Sequence, residues 1–154
     1  MVSRKVALLT GGLALAGFAA AFVLAQPFQA VGILTPDDTE VVALGQDIYA
    51  DQCAACHGAR LEGQPNWRIR GEDGLLPAPP HVATGHTWHH DDKTLFTLTR
   101  YGLASLMENA PPSGMPVYED VLTDDEIIAV LSFIKSTWPD DLRQYHDELN
   151  AQSE

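Results

Sequence analysis

The residues of this chain with the clearest chemistry are two cysteines and a histidine, in the stretch Cys53-Ala54-Ala55-Cys56-His57. Cysteines at this spacing serve metal, redox or haem-attachment chemistry, and a histidine directly after the second cysteine is the haem-attachment pattern. In that chemistry the two thiols add across the two vinyl groups of the haem. The histidine then lies under the iron as its proximal ligand, because imidazole binds iron well. The motif therefore predicts one covalently bound haem c.

Other uses of the cysteine pair fit its surroundings less well. A thioredoxin-type dithiol lies between a strand and the start of a helix, whereas this motif ends a predicted helix. A structural zinc site needs four ligands, usually in two pairs, and Cys53 and Cys56 are the only cysteines of the chain. Histidines would have to complete such a site, so haem is the favoured interpretation.

The second axial ligand of the iron is predicted to be Met115, in the loop Ser113-Gly114-Met115-Pro116. Electron-transfer cytochromes often hold the iron with a His/Met pair, and a thioether ligand requires a loop that wraps over the haem and is held still. Prolines stiffen this loop, and Gly114 permits a close turn. Met107 is an alternative ligand. A further alternative is a histidine from the group His81, His86, His89 and His90.

The elements that position these residues are predicted to be helices. The first runs from about Asp38 to Cys53 and the second from Asp91 or Asp92 to Gly102. The clearest begins at a capping box, Thr123 to Glu126, and ends after Trp138. Its apolar stripe consists of Ile127, Val130, Leu131 and Ile134. Because no segment has a convincing strand pattern, the fold class is all-α, and the long irregular stretch 58–90 is expected to wrap around something.

Residues 1–25 are predicted to be a membrane anchor or a signal peptide. Arg4 and Lys5 precede a run without charges, residues 6–25. Its length favours an uncleaved anchor, and cleavage near Ala25 is the alternative. Because the basic residues come first, the rest of the chain is expected outside the cytoplasm. Residues 26–40 are interpreted as a linker, residues 41–139 as the haem domain and residues 140–154 as a polar tail that is a short exposed helix or frays.

The chain is acidic, with a formal net charge of −12. From Asp37 onward it contains 7 basic and 21 acidic residues, which gives −14. Nucleic acids are bound through basic residues that neutralise phosphates, so nucleic acid is excluded as a partner. A protein partner is expected to present a basic or apolar docking surface rather than an acidic one.

Together these features resemble the class I cytochrome c family in its single-haem bacterial form, over about Val41 to Pro139. The residues that carry the resemblance are Gly45, Tyr49, Cys53 to Gly58, Gly114 to Pro116, and the helix from Leu122 to Pro139. The family implies a bundle wrapped around one covalent haem, in which the first and last helices cross near Gly45. By this likeness Tyr49 meets the face from Leu131 to Ile134, and His57 and Met115 are the axial ligands.

Two further groups of side chains are candidates for haem or metal contacts. The family usually binds the haem propionates through polar groups, for which the candidates by residue type are Trp67, Arg68, Arg70 and Trp88. His86, His89 and His90 are a candidate second metal site, for instance for copper, because imidazole suits that metal. The alternative is a solvated loop whose histidines only form hydrogen bonds.

The resemblance implies an electron carrier rather than an enzyme. Such a protein shuttles electrons between membrane or periplasmic redox partners, on the periplasmic side of the bacterial inner membrane. Two other functions stay open from the sequence. One is a haem-bearing subunit of a membrane oxidoreductase, and the other is a haem enzyme or sensor with an open iron site.

Overall fold

The computed structural model describes residues 32–153. Within this range the chain forms α-helices joined by turns and loops, and it has no β-strand. The helices are α1 (Thr39–Ile48), α2 (Ala54–His57), α3 (Asp92–Tyr101), α4 (Asp124–Ser136) and α5 (Asp140–Ser153). The predicted all-α fold of about three to five helices is therefore confirmed.

The predicted apolar helix in residues 1–25 lies outside the described residues, so an anchor or signal peptide stays a prediction. In the part of the chain that the structure covers, no helix has both the length and the apolar character needed to cross a bilayer.

Each of the three main helices begins at a side-chain cap, at or next to the residue where the sequence predicted its start. The Asp38 carboxylate accepts from the N–H groups of Glu40 and Val41, at 3.0 and 3.2 Å. Asp91 caps α3 by accepting from the Thr94 N–H at 2.8 Å, and the predicted capping box begins α4. Side-chain caps satisfy N–H groups that lack a partner in the first turn of a helix.

Helices α1 and α4 cross at Gly45, as the resemblance implies. A Cβ at this position would lie 2.0 Å from the Ala129 carbonyl oxygen, so only glycine permits this approach. One turn further on, the rings of Tyr49 and Phe133 pack at a centroid distance of 5.5 Å. The crossing fixes the end of α1, and it thereby fixes the attachment motif that follows.

The first helix does not continue as a regular α-helix to Cys53, where the sequence predicted its end. After Ile48 the chain forms a π-helical turn, Tyr49–Cys53, before α2 begins. In this turn the Gln52 carbonyl accepts a hydrogen bond from the Tyr118 hydroxyl at 2.9 Å. Such single π turns are frequent at functional sites.

The C-terminal segment is not the exposed or fraying tail that its polar composition suggested. It forms α5, in which His146 and Asn150 are buried. His146 donates from Nε2 to the His90 carbonyl at 2.8 Å, and the buried Lys135 ammonium reaches the Asp147 carboxylate at 2.5 Å. Because both buried residues of α5 are polar, and only Leu142 adds an apolar contact with the core, the sequence gives little sign that this helix packs.

The described part of the predicted linker 26–40 is also built into the domain. The Leu34 side chain is 1 % exposed, and its N–H donates to the Asp92 carboxylate at 3.0 Å. The Thr35 N–H donates to the Ser132 hydroxyl at 3.0 Å. The domain therefore starts no later than Leu34, and the linker boundary at residue 40 is wrong.

Candidate haem site

The attachment motif occupies the end of the π turn and the single turn of α2. Cys53 is half-buried, Cys56 is exposed, and neither forms a disulfide. Burial, with a smaller contribution from the neighbouring Cys56, raises the pKa of the Cys53 thiol to about 11. Redox dithiols work through a cysteine with a lowered pKa. This environment therefore argues against the thioredoxin-type alternative and suits thiols held for attachment.

Two tyrosine hydroxyls hold the two ends of this motif. Tyr118 donates to the carbonyl of Gln52, immediately before Cys53. Tyr49 donates to the carbonyl of Gly58, immediately after the motif, at 2.8 Å. Burial raises the pKa of both tyrosines, so both hydroxyls stay protonated as donors. The motif is thus fixed at both ends.

His57 has the protonation pattern that an iron ligand requires. Its Nδ1 lies 2.8 Å from the Pro79 carbonyl oxygen, and because a carbonyl oxygen only accepts, the proton is on Nδ1. Burial lowers the pKa of this imidazole, more than the Pro79 hydrogen bond raises it. The ring is therefore neutral, and its Nε2 is left as the lone pair for a metal. The two thiols and this nitrogen fit the attachment points of haem c.

The Pro79 carbonyl is held in place by two segments that run side by side, residues 57–64 and 78–81, which we name the proximal frame. The Gly63 N–H donates to the His57 carbonyl at 2.7 Å, and the Gln64 N–H donates to the Ala78 carbonyl at 2.9 Å. The His81 N–H donates to the Leu61 carbonyl at 2.8 Å. Residues 65–77 form the loop that connects the two segments of the proximal frame. A backbone carbonyl has no signature in a sequence, so the role of Pro79 was not predicted.

His81 lies against His57 itself. The two rings stack with centroids 4.2 Å apart and planes inclined by 24°. Although part of the residue is exposed, dense packing around the ring desolvates it. This desolvation, with the adjacent His57, lowers the pKa of His81 to about 3. A ring stacked on the proximal ligand is on the same side as that ligand, which argues against His81 as the sixth ligand.

Met115 is half-buried and packs against the core cluster, while Met107 is 50 % exposed. Residues 109–117 form what we name the Met115 loop. Within it the Met115 N–H donates to the Ser113 hydroxyl at 3.1 Å. A Cβ on Gly114 would meet only the Leu75 side chain, at 3.5 Å, so the surroundings leave room for a larger residue at this position. Tyr118 follows the loop and ties it to the attachment motif.

The candidate propionate contacts are placed within their own loops. The Arg68 guanidinium lies 4.0 Å from the centroid of the half-buried Trp67 ring. Arg70 donates to the Gly74 carbonyl at 2.8 Å, and the Trp88 indole N–H donates to the Ala83 carbonyl at 3.1 Å. None of these bonds reaches the attachment motif, so the propionate assignments stay predictions.

The candidate second metal site is not assembled. The His86 ring lies 5.1 Å from that of His89 and 4.8 Å from that of His90, between centroids. Nevertheless, no three His, Cys, Asp or Glu side chains among residues 32–153 are arranged to hold a metal ion. His89 instead stacks on Trp88 at 3.7 Å. Packing and hydrogen bonding are thus the observed roles of this loop, as in the alternative interpretation.

Comparison with known proteins agrees with this geometry. A family model described as Cytochrome c matches residues 42–138. The nitrite reductase of Stutzerimonas stutzeri is 29 % identical over 135 residues, which cover 84 % of this chain and 20 % of that protein. The chain thus spans about a fifth of the length of this relative. No solved structure matches the chain. The chain belongs to the cytochrome c family, whose cofactor is covalent haem c, and Cys53 and Cys56 have the spacing that its attachment requires.

Proposed function

We propose that this chain is a single-haem electron carrier in which His57 and Met115 are the iron ligands. The observation that carries the proposal is the His57 ring, which is hydrogen-bonded at Nδ1 to the Pro79 carbonyl, so that Nε2 is the nitrogen available to a metal. Family membership supports haem-based electron transfer in general. The shuttling role, the ligand pair and the partners are our inference.

Haem c, when bound, supplies a one-electron couple between ferric and ferrous iron. The chain's own residues determine how that couple is used. Pro79 keeps the His57 proton on Nδ1, which orients the ligand and raises its basicity. A thioether from Met115 would raise the potential relative to other ligand pairs. It would also leave the iron closed to exogenous ligands.

Met115 is favoured over Met107 by its placement. It packs against the core, and Tyr118, three residues later, connects its loop to the carbonyl before Cys53. Met107 is half exposed. We therefore expect Met115→Leu to lower the midpoint potential markedly, and the matched variant Met107→Leu to leave it unchanged. The reverse result would assign the thioether ligand to Met107.

Carbon monoxide separates the carrier from an open-site haem enzyme or sensor. With Met115 on the iron, reduced wild-type protein should bind carbon monoxide slowly or not at all at neutral pH, whereas Met115→Leu should bind it rapidly. Rapid binding to the wild-type protein would favour the open-site alternative.

A haem-bearing subunit of a membrane oxidoreductase is the second candidate. It is favoured by the similarity to a protein named nitrite reductase, of which this chain matches about a fifth. Native sizing after mild detergent extraction distinguishes the two functions. A free carrier is released as a small species, whereas a subunit stays in a larger complex that retains enzyme activity.

We further propose that the protein works on the periplasmic side of the inner membrane, anchored through residues 6–25. Residues 26–33 precede the buried Leu34 and span at most about 30 Å when fully extended. Such a tether keeps the domain close to the bilayer, which favours partners that are themselves in the membrane. N-terminal sequencing of the mature protein tests the anchor, since a start near Gln26 would show cleavage.

The charge of the chain from Asp37 onward indicates the class of surface on its partner. With −14 from Asp37 onward, a basic or apolar docking surface is the better match. Electron transfer to a basic partner should slow as ionic strength rises, because salt screens the attraction. A rate that rises with salt would contradict this partner class.

A further inference from the structure

His81 is held from several directions at once. Its N–H donates to the Leu61 carbonyl at 2.8 Å, and its carbonyl accepts from the Trp138 indole N–H at 2.7 Å. Its ring is fixed separately, because a hydrogen bond of 2.6 Å joins Nδ1 to the Thr87 hydroxyl. Both the backbone and the ring plane of His81 are therefore determined by the surrounding chain.

The face of this fixed ring lies against His57. The centroid distance of 4.2 Å and the interplanar angle of 24° describe two flat groups in near-parallel contact. The other constraint on His57 is its hydrogen bond to Pro79. A hydrogen bond to a carbonyl oxygen accepts a broad range of directions, so on its own it leaves the imidazole some freedom to rotate. A flat neighbour blocks that rotation.

Rotation of the axial imidazole has electronic consequences. The imidazole plane interacts unequally with the iron orbitals along the two pyrrole axes, so its direction determines how the unpaired electron of ferric haem is distributed. Groups that surround a metal ligand and orient it are known to adjust the properties of the metal. The contact between His81 and His57 is positioned to do this.

We propose that His81 is a positioning residue that fixes the rotational orientation of the His57 imidazole, with Thr87 holding the His81 ring in turn. The inference rests on the proposed function only in that His57 binds the iron. It requires neither Met115 ligation nor a shuttling role. This positioning role differs from simple space filling, because it depends on the flatness and orientation of the His81 side chain and not on its volume alone.

The test uses haem-loaded protein in the ferric state and compares three variants. His81→Leu keeps an apolar side chain but loses the flat face, so the order and spread of the haem methyl resonances in the paramagnetic NMR spectrum should change, together with the EPR g-values. His81→Phe restores a flat ring and should return the pattern towards the wild type. Thr87→Val frees the His81 ring, and we expect a smaller change or a second set of resonances.

A matched control is Phe96→Leu, which removes an aromatic ring of α3 that packs against the core. It should lower stability while leaving the methyl pattern as in the wild type. A folded His81→Leu protein with covalent haem and the wild-type pattern would overturn the proposal. If His81→Leu does not fold, an unchanged pattern in Thr87→Val overturns it on its own.

Failure of the proposed function would be visible elsewhere. If Met115 were not a ligand, the spectrum of the unmodified protein would lack thioether-to-iron absorption before any variant is made. The orientation of His57 would still be readable from the methyl pattern of that protein. The two failures therefore give different results.

Discussion

The two sides of the haem site are built differently. In the proximal frame, hydrogen bonds join His57, Leu61 and Gln64 to partners in the same frame, and His81 stacks on the ligand. In the Met115 loop most residues are exposed, and the Met115 N–H is bonded within the loop. The proximal ligand is thus oriented by the chain itself, whereas the loop depends on Tyr118 and, we infer, on the haem for its final position.

This difference between the proximal frame and the Met115 loop indicates which iron ligand is held firmly and which can dissociate. Segments with few buried contacts open most easily, so the Met115 loop is expected to release the iron first under stress. The covalent side should remain attached. Four predictions test this comparison.

The largest expected effect comes from a pair of glycine substitutions. Gly63 has a φ of +69°, and a Cβ there would lie 2.4 Å from the Pro80 nitrogen. Gly63→Ala should therefore reduce the free energy of unfolding by about 2–4 kcal/mol, through strain at positive φ and a backbone clash. Gly114→Ala in the Met115 loop should change it by less than about 0.5 kcal/mol. Chemical denaturation of both haem-loaded variants measures this, and equal losses would refute the asymmetry.

The second prediction asks whether the attachment segment is formed before haem binds. In haem-free protein, an alkylating reagent at pH 8 should modify Cys56 at least about tenfold faster than Cys53, because thiolates are the reactive species. Cys53 is half-buried with a pKa of about 11, and Cys56 is exposed. Peptide mass analysis over time gives both rates. In concentrated urea the two should react alike, and equal rates without urea would mean that haem is needed to fold the segment.

The third prediction compares the two tyrosines. Tyr118→Phe and Tyr49→Phe each remove one hydrogen bond to a backbone carbonyl, and each should cost about 1 kcal/mol of stability. Only Tyr118→Phe loosens the Met115 loop, so only this variant should lose the thioether-to-iron absorption at a lower temperature than wild type. The same loss in Tyr49→Phe would show that the whole site loosens together.

The smallest effect concerns a group outside both regions. His146 is fully buried, and burial, followed by the Lys135 charge, lowers its pKa, against the raising effects of Asp92, the His90 carbonyl and Asp147. Because the unfolded chain then binds more protons than the folded one, stability should fall as pH drops below about 6.5. His146→Gln should reduce this slope, measured as unfolding free energy between pH 7 and 5. An unchanged slope would mean that His146 is already charged in the fold.

The sequence predicted the elements whose signals are local. Asp38, Asp91 and Thr123 are capping residues that act within their own first turn, and the attachment motif is contiguous. The crossing at Gly45 followed from the family resemblance. These features required no knowledge of which distant segments meet.

The features that the sequence did not predict depend on contacts between residues that are distant in the chain. The residue types involved carry no special signal in a sequence. The carbonyl of Pro79 binds His57 across 22 positions of the chain, and any residue has a carbonyl. The sequence allows His81 to be an iron ligand or a hydrogen-bonding loop residue, and nothing in its neighbourhood indicates a stacked partner. The packing of α5 against the domain was not predicted, because its buried residues, His146 and Asn150, are polar.

The buried ion pair between Lys135 and Asp147 bears on where this protein can be cut and reused. The match to the cytochrome c family ends at residue 138, which suggests a portable module of residues 42–138. Excision there would remove α5 and leave the ammonium of Lys135, 2 % exposed, without its carboxylate. It would also remove Leu34 from the other end. A piece that keeps these contacts therefore includes at least Leu34 to Asn150, which is 8 residues more than the family match at the N-terminal end and 12 more at the C-terminal end.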